Sequence, residues 1–202
     1  MLDFQCPNCG DTVSPAFRSI KMITCNSCGT TLFLSDQAAR VAGEQGVMHD
    51  VPMLFGLGDQ VELRSLQFSI VGHARFSYGR GTWDEFCALD HAGDPHWISV
   101  DEGDIILQEE IPASKWPRYD GYLNLGSSCS YDGTRFDVVE QSGAECVALR
   151  GSFDEPLNIG QTYRYWNLQG EDGRLLSMEE EGRQRDWYIG HWFDPFDVRV
   201  IR

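Results

Sequence analysis

Four cysteines stand in two matched pairs near the amino terminus, Cys6-x2-Cys9 and Cys25-x2-Cys28, fifteen residues apart. A C-x2-C turn sets two sulfurs on one side of a tight loop. Two such turns supply the four thiolates, each about 2.3 Å from a shared ion, that tetrahedral zinc takes. Gly10 and Gly29 follow the pairs directly, where the chain must turn sharply so that backbone N–H groups point at sulfur. One such motif beside a βαβ unit would suit redox work, but two matched copies in a short polar stretch do not. The spacing predicts one structural Zn2+ on Cys6, Cys9, Cys25 and Cys28, with iron or redox use as the alternatives. Four sulfurs close the coordination shell and leave no place for a substrate water.

No other group of residues carries so definite a chemistry. Cys87, Cys129 and Cys146 are not spaced as ligands and read as buried free thiols; a Cys129–Cys146 disulfide or a nucleophile is the alternative. None of the five histidines sits in an HxH or HExxH pattern. His191 lies in the aromatic run Trp187-Tyr188-Ile189-Gly190-His191-Trp192, as a strand residue or a pocket residue. Tyr163, Tyr165 and Trp166 lie in a second aromatic run that suits a protein interface or burial equally. The acidic groups Asp101-Glu102-Gly103-Asp104, Glu109-Glu110 and Glu179-Glu180-Glu181 lack the ligand spacing of a calcium loop. They read as solvated strand edges, charged against edge-to-edge pairing. Gly79-Arg80-Gly81 has no GK[ST] ending and marks a hairpin turn.

The elements that hold these residues are mainly β. Residues 1–35 form the ribbon. Residues 36–56 form a connector that opens with a helix-compatible stretch, DQAARVAGEQ, capped by Ser35 or Asp36 and ended by Gly43 and Gly46. Two related small β units follow, 57–112 and 122–202, barrel- or sandwich-like and packed as a pseudo-duplicate. Leu57-Gly58 returns as Leu125-Gly126, and Phe68-x-Ile70-Val71 as Phe136-x-Val138-Val139, at one offset. Phe86-x-x-Leu89 is matched to Tyr165-x-x-Leu168, and WISVDE at 97–102 to LLSMEE at 175–180, after an insertion of about ten residues between 140 and 165. Short runs rich in aromatic and β-branched residues, punctuated by turns such as Glu171-Asp172-Gly173, support strands throughout.

Of the 202 residues 42% are hydrophobic and 23% charged, which suits a folded chain over a disordered one. The net charge is −15. Residues 1–35 are neutral, with Asp3 and Asp11 against Arg18 and Lys21, so the excess lies in the β body. Such a surface repels phosphate backbones and anionic lipid. No apolar run approaches a bilayer span and the first residues do not resemble a secretory signal, so a cytoplasmic location is expected.

The words FxIVG, DGxxFxVVE, GxxYRYWNL, GRLLSMEE and WYIGHW, behind a cysteine ribbon, resemble a bacterial family of tandem β domains known only as a domain of unknown function. The resemblance implies a cytosolic β protein, with an acidic residue expected after Gly151, where Ser152 stands. Taken together, the closed metal site and the missing catalytic groups favour a non-catalytic interaction module or adaptor with a protein partner. Tyr163, Tyr165, Trp166, Trp187, Tyr188, His191 and Trp192 would form its surface. A binder of, or enzyme acting on, a cationic small molecule such as a polyamine is the alternative, the acidic body and Trp187, Tyr188 and Trp192 caging an amine. Nucleic-acid binding through the ribbon comes third.

Overall fold

A computed structural model describes residues 3–35 and 38–201. In the amino-terminal unit β1 (Phe4–Gln5) and β2 (Thr12–Val13) pair as a hairpin, while β3 (Met22–Thr24), β4 (Thr30–Ser35) and β5 (Ala38–Glu44) form an antiparallel sheet. The helix expected from Asp36 is not formed: Ala38–Glu44 is a strand, and Asp36 and Gln37 lie outside the described residues. Alanine-rich sequence has helical propensity, but β4 offers a ladder from Thr30↔Glu44 to Ser35↔Ala38, and tertiary pairing overrides a preference worth tenths of a kcal/mol per residue.

The body continues through β6 (Gln60–Leu63), β7 (Leu66–Ser77), β8 (Thr82–Leu89), β9 (Pro95–Asp101), β10 (Asp104–Glu110), β11 (Ser128–Tyr131), β12 (Thr134–Phe153), β13 (Thr162–Gly170), β14 (Leu175–Glu181), β15 (Gln184–Phe193) and β16 (Val198–Ile201). Two short 3-10 turns, Ala113–Lys115 and Pro195–Asp197, are the only helical residues among those described. Eight strands close into one barrel in the order β7-β8-β9-β10-β15-β14-β13-β12, with β12 returning to β7. The barrel is common to both units; neither closes one alone.

The halves correspond strand for strand. Gln60 and Leu66 correspond to Ser128 and Thr134, both 68 residues on. Thr82, Pro95 and Asp104 correspond to Thr162, Leu175 and Gln184, each 80 on. The same bulge falls between Ile70 and Gly72 and between Val138 and Glu140. Even the approach to β7 recurs, with Gly58 N donating to Ile70 O at 3.0 Å and Gly126 N to Val138 O at 2.9 Å. The register corrects the later sequence matches. Phe86 corresponds to Trp166, not Tyr165, and Trp97 to Ser177, not Leu175. A one-residue slip exchanges the two faces of a strand, so the first of these corrections changes which aromatic is buried where.

Each half carries an apolar core on the strand face turned away from the barrel interior. Phe68, Ile70, Phe86, Ile98 and Leu107 pack with Phe55 in the first; Phe136, Val138, Trp166, Met178 and Trp187 pack with Leu123 in the second. The tail of each half covers the first strand of the other: β16 pairs with β6, Arg199 opposite Glu62, and the stretch after β10 pairs with β11, Arg118 opposite Ser130. A third core joins one end of the barrel to the amino-terminal unit, Phe17 and Met22 meeting Phe76, Cys87, Leu149 and Phe153. There β3 extends the sheet through Ile23↔Ser152 and Met22↔Phe153.

Candidate functional site

Cys6, Cys9, Cys25 and Cys28 bring their sulfurs within 4.8 Å of one another. The Sγ atoms of Cys6 and Cys28 lie 3.7 Å apart, as do those of Cys9 and Cys25. A tetrahedron with metal–sulfur bonds of about 2.3 Å has edges of about 3.8 Å, so the donor set fits one metal ion. Both loops turn alike: Gly10 N donates to Cys6 O and Gly29 N to Cys25 O, each at 2.8 Å, with the glycines at φ 78° and 71°. Asn8 and Thr30 secure the rim, Asn8 Nδ2 donating to Thr30 Oγ1 at 2.8 Å.

The second site is the barrel interior. Because strand side chains alternate, acidic runs that look continuous in sequence divide between faces. Asp101, Asp104, Glu179 and Glu181 turn into the lumen. Glu102 and Gly103 make the β9–β10 turn, while Glu180 faces outward to Arg185 at 2.7 Å. Solvated edges were expected for these clusters; in each of the two longer runs two of the three acids face the lumen instead, Asp101 and Glu179 partly buried, Asp104 and Glu181 still exposed. The lumen holds two adjoining cavities of about 290 Å³ and 190 Å³ that share Glu85, Tyr163 and Glu179. Eight carboxylates line them, from Glu85, Asp101, Asp104, Glu140, Glu155, Glu179, Glu181 and Asp186, and among the described residues no Lys, Arg or His does; Lys21 and His96 line a neighbouring cavity that shares Glu155 and Tyr188.

The electrostatics follow from that inventory. Burial pushes the Glu85 carboxyl up to about 7, against a hydrogen bond from Trp83 Nε1 at 2.9 Å that favours the ionised form. Burial first, then Asp154 and Glu85, pushes Glu155 up to about 8. Glu179 is raised well above the ordinary carboxylate range by burial and by Glu85, Glu155 and Asp186. Asp101 is raised by burial and by Glu102 and Glu140, and its Oδ1 is buried without a hydrogen-bond partner among the described residues. Glu140 is the best tied, accepting from Tyr165 Oη at 2.9 Å and Asn167 Nδ2 at 2.8 Å. Rings form part of the wall, with Trp83, Tyr163 and Tyr165 between the carboxylates and Trp192 at the margin.

The aromatic residues singled out in the sequence do not form one surface. Tyr163, Tyr165, Tyr188 and Trp192 line the lumen. Trp166 and Trp187 are 4% and 1% exposed in the second half's outer core and present nothing to a partner. His191 is exposed on the outer face. Cys129 and Cys146 are free and buried in different cores, which removes a disulfide between them. Sequence reasoning missed Glu85, Glu140, Glu155 and Asp186. Glu85 follows Asp84 in β8, where alternation puts the two on opposite faces, and Glu155 falls within the long second-half insertion, which were the available signals.

Among the described residues no helix is long and apolar enough to cross a membrane. Residues 56–195 match the family model described as a domain of unknown function, DUF4178. No curated protein and no solved structure gives a match.

Proposed function

We propose, for a chain that belongs to the DUF4178 family, that the barrel lumen binds an organic cation and that the four-cysteine unit holds a structural Zn2+ beside it. One observation carries the lumen assignment: eight carboxylates around two adjoining cavities that no cationic side chain lines among the described residues. Five of the eight, Glu85, Asp101, Glu155, Glu179 and Asp186, are partly withdrawn from water, and like charges so placed are relieved by protons or by a counter-cation. A metal ion is the poorer counterion. Among the described residues the four cysteines are the only group of three or more metal-ligating side chains whose donor atoms converge; the carboxylates are distributed along the walls. Ammonium groups suit that distribution, since each donates charge-assisted hydrogen bonds to one or two carboxylates and gains about 0.5–2 kcal/mol from a ring face. For the cysteine unit, sulfur spacing near that of a tetrahedral thiolate site supports zinc, and four sulfurs leave it no open position.

Calorimetric titration of the metal-loaded chain with primary and quaternary alkylammonium ions, at pH 8 and physiological salt, tests the lumen. Saturable heat that weakens in Glu179→Gln is expected; no saturable heat from any of these ions would remove the reading. Elemental analysis should find about one zinc per chain. An adaptor role is favoured by Phe196, 96% exposed on the turn before β16. Recovery of a stoichiometric partner that Phe196→Ala abolishes would establish it.

A further inference from the structure

The two lumen cavities are related by the same correspondence that relates the halves. The larger reaches the β9–β10 hairpin, where Asp101 and Asp104 face inward; the smaller reaches the β14–β15 hairpin, where Glu181 and Asp186 do. Asp101 and Asp104 pair across their hairpin as Glu181 and Gln184 pair across the other. Duplication has therefore built two acidic chambers in one lumen, joined at a waist formed by Glu85, Tyr163 and Glu179.

We propose that the lumen takes a linear α,ω-diamine or longer polyamine, one ammonium in each chamber and its methylene chain passing the waist. This rests on the cation reading above and gives it a ligand class. Three observations select that class. Besides Glu85 and Glu179 at the waist, carboxylates lie on both sides of it, Asp101, Asp104 and Glu140 in one chamber and Glu155, Glu181 and Asp186 in the other, so a compact ion such as tetramethylammonium would fill one chamber and leave the other's carboxylates uncompensated. Asp101 Oδ1, in the wall of the larger chamber, is buried with no hydrogen-bond partner among the described residues, and an acceptor left unsatisfied is costly until a donor arrives. At the waist the Tyr163 ring supplies apolar surface suited to methylenes between charged ends. At about 290 Å³ and 190 Å³ each cavity lies below the roughly 300–1,000 Å³ usual for small-molecule sites, which suits a narrow chain threading both over a fused ring system.

The same ammonium-on-alkyl chemistry occurs in lysine side chains, so the test includes both sources. The metal-loaded full chain is titrated at pH 8 with 1,4-diaminobutane, spermidine, n-butylamine, tetramethylammonium and a lysine-rich peptide. A diamine or spermidine is expected to bind about tenfold or more tighter than n-butylamine, the worth of one added charge-assisted contact. Asp101→Asn and Asp186→Asn should each erase most of that advantage; both are near-isosteric, and thermal unfolding checks that each folds. Equal affinity for diamine and monoamine would overturn the two-ended assignment while leaving cation binding intact. No binding of any amine would overturn both. A lysine-rich peptide binding more tightly than every free amine would overturn the assignment to a small molecule.

Discussion

The lumen carboxylates make stability depend on pH in a direction that can be worked out. Glu85 and Glu155 hold their protons up to about 7 and 8, against about 4.3 for an unfolded glutamate. Between about pH 4.5 and 8 the folded chain therefore binds protons that the unfolded chain has released, and stability falls as pH rises. The lowered carboxyls of Asp84, Asp90 and Asp172 act in the opposite sense, but in a more acidic window. Without ligand, the Tm measured at pH 5.5 is expected to exceed that at pH 8.5, and Glu85→Gln should flatten part of the fall. A Tm unchanged across this range would contradict the buried-acid lumen. Amine affinity should rise over the same interval, because protons no longer compete for the carboxylates while an amine near the lysine value of about 10.4 stays charged. None of this was visible in Glu179-Glu180-Glu181 as a string of letters. Alternation predicts that one face differs from the other, but which face is interior depends on how the strands curl.

Strand content and turn positions were legible because aromatic and β-branched runs punctuated by glycine leave few other options, and the hairpin at Gly79-Arg80-Gly81 is formed as expected. The strand β5 was not legible, since its pairing with β4 is a tertiary fact that Ala38-Ala39-Arg40 does not announce. The closure of the barrel was equally hidden. It depends on β7 and β12 approaching so closely that a Cβ on Gly151, at φ 86°, would meet the Val71 carbonyl oxygen, and one on Gly72 the Ser152 carbonyl oxygen. Gly151→Ala combines a left-handed backbone, about 1–2 kcal/mol, with a backbone clash. It is expected to lower stability by more than about 2 kcal/mol in denaturant unfolding, whereas Gly133→Ala, whose Cβ meets nothing within 4 Å, should bear the backbone cost alone. Equal effects would mean that the seam is not tight. Trp187→Ala, in the second outer core, should cost about 3–5 kcal/mol.

For the molecule as a whole, the sequence repeat was read correctly at Leu57-Gly58 and in β7 and slipped in β8 and β9. The extra length in the second half lengthens β12 and the loop after it, which supply the contact with β3 and the inward Glu155. The amino-terminal unit is too small to fold on its apolar contacts alone, and apparent zinc-binding energies of about 10–16 kcal/mol match or exceed the stability of a typical domain. Removing metal should therefore unfold it. Hydrogen exchange after chelation is expected to deprotect residues 4–35 while β8, β9 and β14 remain slow, with a lower Tm as Phe17 and Met22 leave the barrel end. Retained protection at residues 22–35 would argue against metal-dependent folding.

The reciprocal covering of β6 by β16 and of β11 by the stretch around Arg118 is what two identical copies would achieve by exchanging tails. Fusion into one chain frees the copies from identity. Where a symmetric pair would present the same wall twice, Glu85 now stands against Tyr165, Ser99 against Glu179, and Ile106 against Asp186. A guest with unlike ends would be read in a single orientation, a discrimination that no homodimer about a true axis can make.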